Sequence, residues 1–215
     1  MEVDAGVADR GRVSARRTAA TFDRAYFDKW YRDPAHRVRT TADRTRQVAF
    51  ALAAAEQLLE RPVRTVLDVG AGEGHWQPVL AKLRPTVRYT GVDPSEHAVR
   101  RYGARRNLRL GSIEALDAVA LDAGYDLVCC VGMLYYLTVA QFRRGIRSIA
   151  ARTAGMAYLE LFAREDELEG DLPLGTARPA GWYRREMRRA GWVSLGQHCW
   201  VTEAMAWRVA SLERA

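Results

Sequence analysis

A glycine-rich turn after an apolar run is the sequence feature that most directly indicates chemistry. The run V-L-D-V-G-A-G-E-G covers residues 66–74, and a helical pattern begins at Trp76. Glycine can adopt a positive φ and lets a ligand lie against the backbone, while the first turn of a helix offers free N–H groups. A dinucleotide-binding turn would place its third glycine one position later, at His75. The turn alone is therefore a weak indicator of a ligand site.

A carboxylate at the end of the next apolar run strengthens this interpretation. The run Y-T-G-V-D over residues 89–93 ends in Asp93, 19 residues after Gly74. An acid at this point of a strand–helix–strand unit can accept hydrogen bonds from two ribose hydroxyls. Taken alone, Asp93 fits a helix cap or a turn before Pro94 equally well. Together with the glycine turn, it favours a nucleoside-binding site.

The elements that must position these residues alternate between strand and helix. Apolar, β-branched runs predict strands at Val63–Val69, Val87–Val92, Leu108–Leu110, Asp126–Val131 and Gly155–Phe162. Helical spacing predicts helices at Trp76–Leu83, Glu96–Tyr102 and Ala140–Arg152. This alternation predicts an α/β domain with a mostly parallel sheet covered by helices on both faces. After a helix at Gly181–Ala190, strand-like runs at Trp192–Trp200 and Ala204–Leu212 predict an antiparallel hairpin at one edge of the sheet.

The N-terminal part has a different character. Residues 1–20 are polar, Arg-rich and aperiodic, and are predicted to be a flexible segment. Residues 21–60 form a predicted helical appendage to the domain at 61–215, with helix Thr41–Leu59 as its second part. In its first part, Phe22, Tyr26, Phe27 and Trp30 recur at helical spacing before Pro34. Such an aromatic stripe either closes over a pocket as a lid or only packs on the sheet.

Composition excludes several classes of protein. The 215 residues are 48% hydrophobic and 27% charged, which is typical of a folded domain. The net charge is +7, but residues 1–60 interleave 11 bases with nine acids, whereas a nucleic-acid surface needs clustered bases. Nucleic acid is therefore not the expected partner. The three cysteines have neither disulfide nor metal spacing, so no metal is expected. With no apolar run of about 18 residues and no apolar core at the N-terminus, we expect a cytoplasmic protein without a membrane anchor.

Three motifs together resemble the class I S-adenosylmethionine-dependent methyltransferases. They are V-L-D-V-G-A-G-E-G at 66–74, Y-T-G-V-D-P-S at 89–95 and Y-D-L-V-C-C-V-G-M-L-Y-Y-L at 125–137. The resemblance covers roughly residues 60–215. It implies a Rossmann-like sheet of seven strands with a reversed last hairpin. It also implies S-adenosylmethionine as cofactor and S-adenosylhomocysteine as product.

The resemblance also implies which residues hold the cofactor. The methionine part would lie against the glycine turn and Asp68, the ribose against Asp93, and the sulfonium beside Val131–Gly132. The full expected set is Asp68, Gly70, Ala71, Gly72, Gly74, Trp76, Asp93, Pro94, Ser112, Ile113, Val131 and Gly132. The chain departs from the family at Ser112, where many members carry an acid that meets the adenine amino group. The family's Pro-Gly-Gly turn before the fifth strand is replaced by R-T-A-G at 152–155.

Acceptor-site residues are expected at strand ends on the cofactor side. Tyr135 and Tyr136 are the catalytic candidates, as phenols that line the acceptor site or bond the nucleophile, although packing against a helix explains them equally. Glu160 would orient an amine or hydroxyl acceptor, or else form a solvated pair with Arg164. On the appendage, the substrate-binding candidates are Tyr26, Trp30, Tyr31 and Arg39; either Arg37 or Arg39 would meet the cofactor carboxylate.

The function expected from these patterns is methyl transfer to a small-molecule acceptor, such as a specialised metabolite, by in-line displacement. Three alternatives stay open: methylation of RNA or protein, non-transfer chemistry on the bound sulfonium, and a regulator that binds the cofactor. The acceptor atom is not fixed by the sequence, and both a monomer and a homodimer are compatible with it.

Overall fold

Seven strands form one sheet in the computed structural model, which describes residues 22–166 and 177–211. The strands are β1 Thr65–Val69, β2 Arg88–Asp93, β3 Leu108–Leu110, β4 Tyr125–Val131, β5 Thr153–Glu160, β6 Trp192–Gly196 and β7 Cys199–Thr202. Their order is β3-β2-β1-β4-β5-β7-β6; β1 to β5 run parallel, and β7 is antiparallel to both of its neighbours. The predicted Rossmann-like fold is confirmed. The segment predicted to be flexible, residues 1–20, lies outside the described residues.

Helices cover both faces of this sheet, because its central strands are apolar on both sides. The helices are α1 Arg24–Phe27, α2 Thr41–Leu59, α3 Trp76–Leu83, α4 Glu96–Arg106, α5 Val139–Arg152 and α6 Ala180–Arg189. Every residue of β1 is buried. One core cluster joins the sheet to α2, α3 and α4 through residues such as Leu52 and Leu80. The other joins it to α5 and α6 through Phe142 and Met187. With one helical layer packed on each face, the carboxyl ends of the parallel strands β1 to β5 lie together at one end of the sheet.

The start of α2 is fixed by its own sequence. Thr40 is the N-cap: its hydroxyl accepts a hydrogen bond from the Asp43 amide at 3.1 Å, and Asp43 Oδ2 accepts one from the Thr40 amide at 2.9 Å. This reciprocal capping box satisfies two backbone donors at the helix end. The helix spans Thr41–Leu59 as predicted, and its first turn lies beside the N-terminal aromatic segment.

The C-terminal hairpin has different bounds from those predicted. The run Trp192–Trp200 is broken by a two-residue turn, since Gln197 and His198 have φ values of 47° and 64° between the paired residues Gly196 and Cys199. Turns of this kind usually contain Asn-Gly, so Gln-His gives no signal in the sequence. The predicted strand Ala204–Leu212 is wrong. The chain instead forms a 3₁₀ helix at Glu203–Arg208, because β7 already ends at Thr202 and E-A-M-A-W-R consists largely of helix-compatible residues.

The N-terminal aromatic segment, by which we mean residues 22–32, is not one regular α-helix. After α1, residues Asp28–Arg32 wind as a π-helical turn, in which the Asp33 amide bonds the Asp28 carbonyl at 3.0 Å. The wider turn changes the side-chain spacing, so Trp30 does not continue the stripe. Phe27 instead makes edge-to-face contacts with Tyr26 and Tyr31, with ring centroids 5.5 and 5.1 Å apart.

Candidate cofactor site

The glycine turn after β1 adopts a backbone that only glycine takes readily. Gly70 and Gly72 have φ values of 74° and 54°. A β-carbon on Gly72 would lie 2.6 Å from the Tyr31 hydroxyl oxygen, and one on Gly70 would clash with the side chain of Met133. Because neither glycine carries a side chain, the backbone of the turn itself lines the same pocket as Tyr31 and Met133.

Asp93 ends β2 beside this turn with hydrogen-bonding capacity to spare. Its carboxylate is buried; Oδ2 accepts the Gly72 amide at 2.6 Å, and Oδ1 accepts the Ser95 amide at 2.8 Å. Each oxygen thus keeps a lone pair that can accept a further O–H donor. Burial raises the pKa of Asp93 to about 6, against the opposing effect of the two amides. The group is mostly ionised at neutral pH and is poised to accept two hydroxyls.

A pocket opens where these elements meet. It lies at the carboxyl ends of β1, β2 and β4. Strands β1 and β4 are adjacent, but the strand that follows β1 lies on one side of this pair and the strand that follows β4 lies on the other. Open α/β sheets bind ligands in the crevice at such a reversal of strand order. The lining of the pocket consists of Phe22, Tyr26, Phe27, Tyr31, Gly70, Gly72, Asp93, Pro94, Val131, Gly132 and Met133.

Six residues assigned to the cofactor from sequence line this pocket: Gly70, Gly72, Asp93, Pro94, Val131 and Gly132. Ala71 and Gly74 lie in the same turn but outside the lining; a β-carbon on Gly74 would meet Leu108 at 2.8 Å. Ser112 and Ile113 also lie outside it, and Ile113 is buried against Gly145 on α5. The pocket brings together the residues predicted for ribose and sulfonium, while the predicted adenine contacts fall beyond it.

Asp68 and Trp76 belong to the protein interior. The Tyr89 hydroxyl donates to Asp68 Oδ2 at 2.8 Å, and burial raises the pKa of Asp68 to about 6. Trp76 is 5% exposed and packs near Tyr158, with ring centroids 5.9 Å apart. Neither side chain lines the pocket, so in this structure both support the turn from behind rather than facing a ligand.

The aromatic segment forms one wall of the pocket through Phe22, Phe27 and two of the residues predicted to bind substrate, Tyr26 and Tyr31. Trp30, which is predicted to bind substrate as well, lies outside the lining, with its ring 6.0 Å from that of His36.

Hydrogen bonds from both ends of the segment attach it to the domain. Arg32 Nη2 bonds the buried Glu73 at 2.6 Å, and the Ser95 hydroxyl donates to the Phe22 carbonyl at 2.6 Å. The segment is thus attached to the two loops that also carry the glycine turn and Asp93.

Tyr135 and Tyr136 form a pair of tilted rings beyond the pocket lining. Their ring centroids are 4.3 Å apart, their hydroxyl oxygens are 3.0 Å apart, and the Tyr136 ring meets Phe22 edge-on. Burial, followed by the neighbouring phenols of Tyr26 and Tyr135, raises the pKa of Tyr136 far above its usual range. A phenol with so high a pKa stays protonated and cannot act as a general base. This pair is therefore suited to packing and hydrogen bonding.

Glu160, at the end of β5, has different partners from those expected. It is 2% exposed, forms an ion pair with Arg39, and accepts a hydrogen bond from Gln47 Nε2 at 2.7 Å. The predicted alternative pair with Arg164 is wrong. This pairing engages Arg39 as well, so the structure does not place Arg39 at the pocket. Glu160 nevertheless neighbours the pocket, since it pairs in register with Val131.

Met133, Phe22 and Phe27 were not assigned to the site from the sequence. Met133 directly follows Val131–Gly132, so extending that motif by one residue would have found it. Phe22 and Phe27 belong to the aromatic stripe, but a regular helix does not place both beside Tyr31. Within residues 22–166 and 177–211, there is no cluster of three potential metal ligands and no helix long and apolar enough to span a membrane.

Comparison with known families agrees with this geometry. A family model described as a methyltransferase domain matches residues 34–212. The chain belongs to this methyltransferase family. The resemblance to class I S-adenosylmethionine-dependent methyltransferases is thereby confirmed. No curated protein matches the sequence significantly.

Solved methyltransferase structures share the fold. The plantazolicin methyltransferase BpumL in complex with S-adenosylhomocysteine is 15% identical, with a TM-score of 0.59 over 80% of this chain and 74% of that one. Magnesium protoporphyrin IX methyltransferase from Synechocystis PCC 6803 with bound S-adenosylmethionine is 17% identical, with a TM-score of 0.55 over 88% and 89%. A putative O-methyltransferase from Nostoc punctiforme PCC 73102 is 19% identical, with a TM-score of 0.52 over 69% of this chain. The present methyltransferase spans only 51% of that chain.

Proposed function

We propose that this methyltransferase transfers the methyl group of S-adenosylmethionine to a small-molecule acceptor. The observation that carries the proposal is the pocket at the β1–β4 junction, in which a bare glycine backbone faces a carboxylate with two free acceptor positions. These features fit a nucleoside linked to an amino acid: the carboxylate suits two ribose hydroxyls, and the turn lets the chain of the ligand lie against the backbone. Related structures that contain the cofactor or its product support this assignment.

Different residues of the pocket would bind different parts of the cofactor. Asp93 would hold the ribose, the turn at Gly70–Gly72 would hold the amino-acid end, and Val131 and Gly132 would lie beside the sulfur. When bound, the cofactor supplies an electrophilic methyl group. The chain's own part is to hold the acceptor in line with that methyl group and to exclude water. The ring wall formed by Tyr26, Phe27 and Tyr31 is suited to the second task.

Neither Tyr136 nor Glu160, the acceptor-side candidates named from the sequence, is suited to act as a general base. The phenol of Tyr136 stays protonated, and the carboxylate of Glu160 is held by Arg39 and Gln47. We therefore propose that the enzyme acts by positioning an acceptor that is already nucleophilic. In this scheme Tyr135 and Tyr136 shape the acceptor side, and Glu160 fixes the first residues of α2 against β5.

The enclosure of the site favours a small acceptor over a macromolecule. The aromatic segment bounds the pocket on one side, and two methyltransferases of similar fold are named for small acceptors, plantazolicin and magnesium protoporphyrin IX. We propose a specialised metabolite as the acceptor class. Methylation of RNA or protein would instead require a rim that docks a large partner.

The deciding experiment is calorimetric titration of the purified protein with S-adenosylhomocysteine, with NAD as the matched control. We expect micromolar binding of the first and none of the second. Binding of NAD alone, or of neither, would overturn the proposal. The acceptor class is then tested by incubating the protein with methyl-labelled S-adenosylmethionine and separate small-molecule and macromolecular fractions of a cell extract. Label confined to the macromolecular fraction would contradict a small acceptor.

A further inference from the structure

The outer surface of α5 and α6 carries a large excess of positive charge. Each of these helices contains four arginines, and the only acid on either of them is Glu186, so together they have a net charge of +7. The net charge of the whole chain is also +7, so the charges of all its other residues balance. The interleaving of bases and acids seen in residues 1–60 therefore does not extend to these two helices.

Seven of these arginines are exposed and lie on one joined surface. Both helices pack their apolar sides on the same side of the sheet, so their polar sides point outward together. Arg143 on α5 and Arg189 on α6 both bond the buried Glu186, at 2.7 and 3.0 Å, which joins the two polar sides. We call the seven residues the arginine face: Arg143, Arg144, Arg147, Arg184, Arg185, Arg188 and Arg189.

Most of the arginine face has no counter-charge. Acids near the two helices are engaged elsewhere: Glu114 accepts a hydrogen bond from Gln141 at 3.0 Å, and Glu165 accepts one from a backbone amide at the start of α6 at 3.0 Å. Asp117 pairs with Arg152, which lies outside the face. Four side chains of the face form no ion pair with any of the described residues: Arg144, Arg147, Arg184 and Arg188. These four guanidinium groups are free to bind an external anion.

The composition of the arginine face distinguishes between classes of partner. A protein interface needs apolar or aromatic residues at its centre, and a helix that binds a membrane inserts such residues into the lipid. Of the large apolar residues of α5 and α6, only Val139, at the start of α5, is exposed. A nucleic-acid backbone needs only charge and hydrogen-bond donors, and the fork of donors on arginine matches the geometry of phosphate. The face therefore favours nucleic acid.

The same composition favours a DNA duplex among nucleic acids. Single strands bind through exposed aromatic rings on which the bases stack, and the arginine face has none. Double-stranded RNA is recognised partly through its 2′-hydroxyls, but α5 and α6 expose no uncharged polar side chain. Duplex DNA carries about one negative charge for each 1.7 Å of its axis, and charge alone is enough to bind its backbone.

We propose that the arginine face binds the phosphate backbone of double-stranded DNA without reading its sequence. This inference goes beyond the proposed function and does not depend on it. No residue of α5 or α6 lines the pocket, so DNA bound to this face leaves the cofactor site open.

The test measures binding of a fluorescently labelled DNA duplex of about 20 base pairs to the full chain by anisotropy, between about 50 and 200 mM salt. With about four phosphate contacts, the affinity should fall by roughly 100-fold over this range. The test variant should bind about tenfold or more weakly at low salt and lose most of the salt dependence. It combines Arg144→Gln, Arg147→Gln, Arg184→Gln and Arg188→Gln.

Two further variants are the controls. The first has the same net charge as the test variant but keeps the arginine face, and it should bind DNA within about threefold of the wild type. It combines Arg64→Gln, Arg88→Gln, Arg100→Gln and Arg105→Gln, which are exposed positions on other elements. The second replaces the four arginines of the test variant with Lys and should keep most of the affinity, because the charge is retained. All three variants should keep the wild-type Tm, since the replaced side chains are exposed.

Each contrary outcome refutes the inference. It is wrong if the wild type does not bind DNA at low salt, or if the equal-charge control loses as much affinity as the test variant. It is also wrong if duplex RNA binds more tightly than DNA. Displacement of the DNA by poly-L-glutamate at equal charge concentration would show that the face fits an acidic protein instead. None of these measurements uses S-adenosylhomocysteine, so the proposed function is tested separately.

Discussion

Replacing Asp93 with Asn tests the ribose assignment most directly, because it changes chemistry with little change in shape. In the wild type, each carboxylate oxygen accepts one backbone amide, from Gly72 at 2.6 Å and from Ser95 at 2.8 Å. An amide side chain can accept only one of these and must turn its NH₂ group toward the other donor. The variant therefore loses one buried backbone contact as well as the negative charge.

These two losses have separable magnitudes. An unsatisfied buried amide costs about 1–3 kcal/mol of folding free energy, which for a chain of this size lowers Tm by roughly 2–12 °C. Two ribose hydroxyls that bond a carboxylate contribute about 1.5–3 kcal/mol each, and Asn retains part of this. Loss of about 2 kcal/mol or more corresponds to at least roughly 30-fold weaker binding of S-adenosylhomocysteine.

Calorimetry with two ligands separates these effects. We expect Asp93→Asn to weaken binding of S-adenosylhomocysteine but to leave the affinity for its 2′,3′-dideoxy analogue almost unchanged. The analogue should also bind the wild type weakly. If the wild type binds both ligands equally well, or if the variant loses affinity for both in parallel, Asp93 does not hold the ribose.

Three further predictions follow from the same geometry. Burial raises the pKa of Asp93 to about 6, and the ribose hydroxyls bond best to its ionised form. The affinity for S-adenosylhomocysteine should therefore be full above pH 6 and fall by up to about tenfold for each pH unit below it. Binding titrations at several pH values should show no such fall in Asp93→Asn. Arg39→Met leaves the buried Glu160 without its cation and should lower the free energy of unfolding by about 2–3 kcal/mol, once the partial exposure of Arg39 is allowed for. Calorimetric scans should show this as a lower Tm, and an unchanged Tm would show that the pair is structurally unimportant. Deletion of residues 1–35 should leave a sheet with native far-ultraviolet circular dichroism but weaken binding of S-adenosylhomocysteine, and full affinity in the truncated protein would refute a lid.

Much of the fold could be predicted from local patterns. The bounds of α2 and α3 were predicted correctly because their ends carry local signals: the capping box at Thr40 for one and the glycine turn for the other. The position of Asp93 could also be predicted, because a strand end and a glycine turn in one strand–helix–strand unit must meet at the same sheet edge. These features depend on residues close together in the chain.

What could not be predicted depends on contacts between distant parts of the chain. Glu160 and Arg39 are 121 residues apart, and nothing near either residue indicates that they pair. The same holds for Arg32 and Glu73, which attach the aromatic segment to the glycine turn. The turn at Gln197–His198 could not be predicted for another reason. Pairing of β6 with β7 imposes a left-handed conformation on two residues that do not favour it, so their sequence gives no turn signal.

The π-helical turn at Asp28–Arg32 sets how the rings on its two sides are oriented relative to each other. A π turn behaves like an α-helix that has accepted one extra residue. Rewinding it as α-helix would exchange one set of backbone hydrogen bonds for another. It would also rotate the residues on one side of the turn relative to the other by about 100° and shift them by about 1.5 Å. Tyr31, within the turn, and Tyr26, before it, would thus change their relation to each other and to Gly72 without any unfolding. The winding of this short turn therefore sets the position from which the Tyr31 hydroxyl covers Gly72.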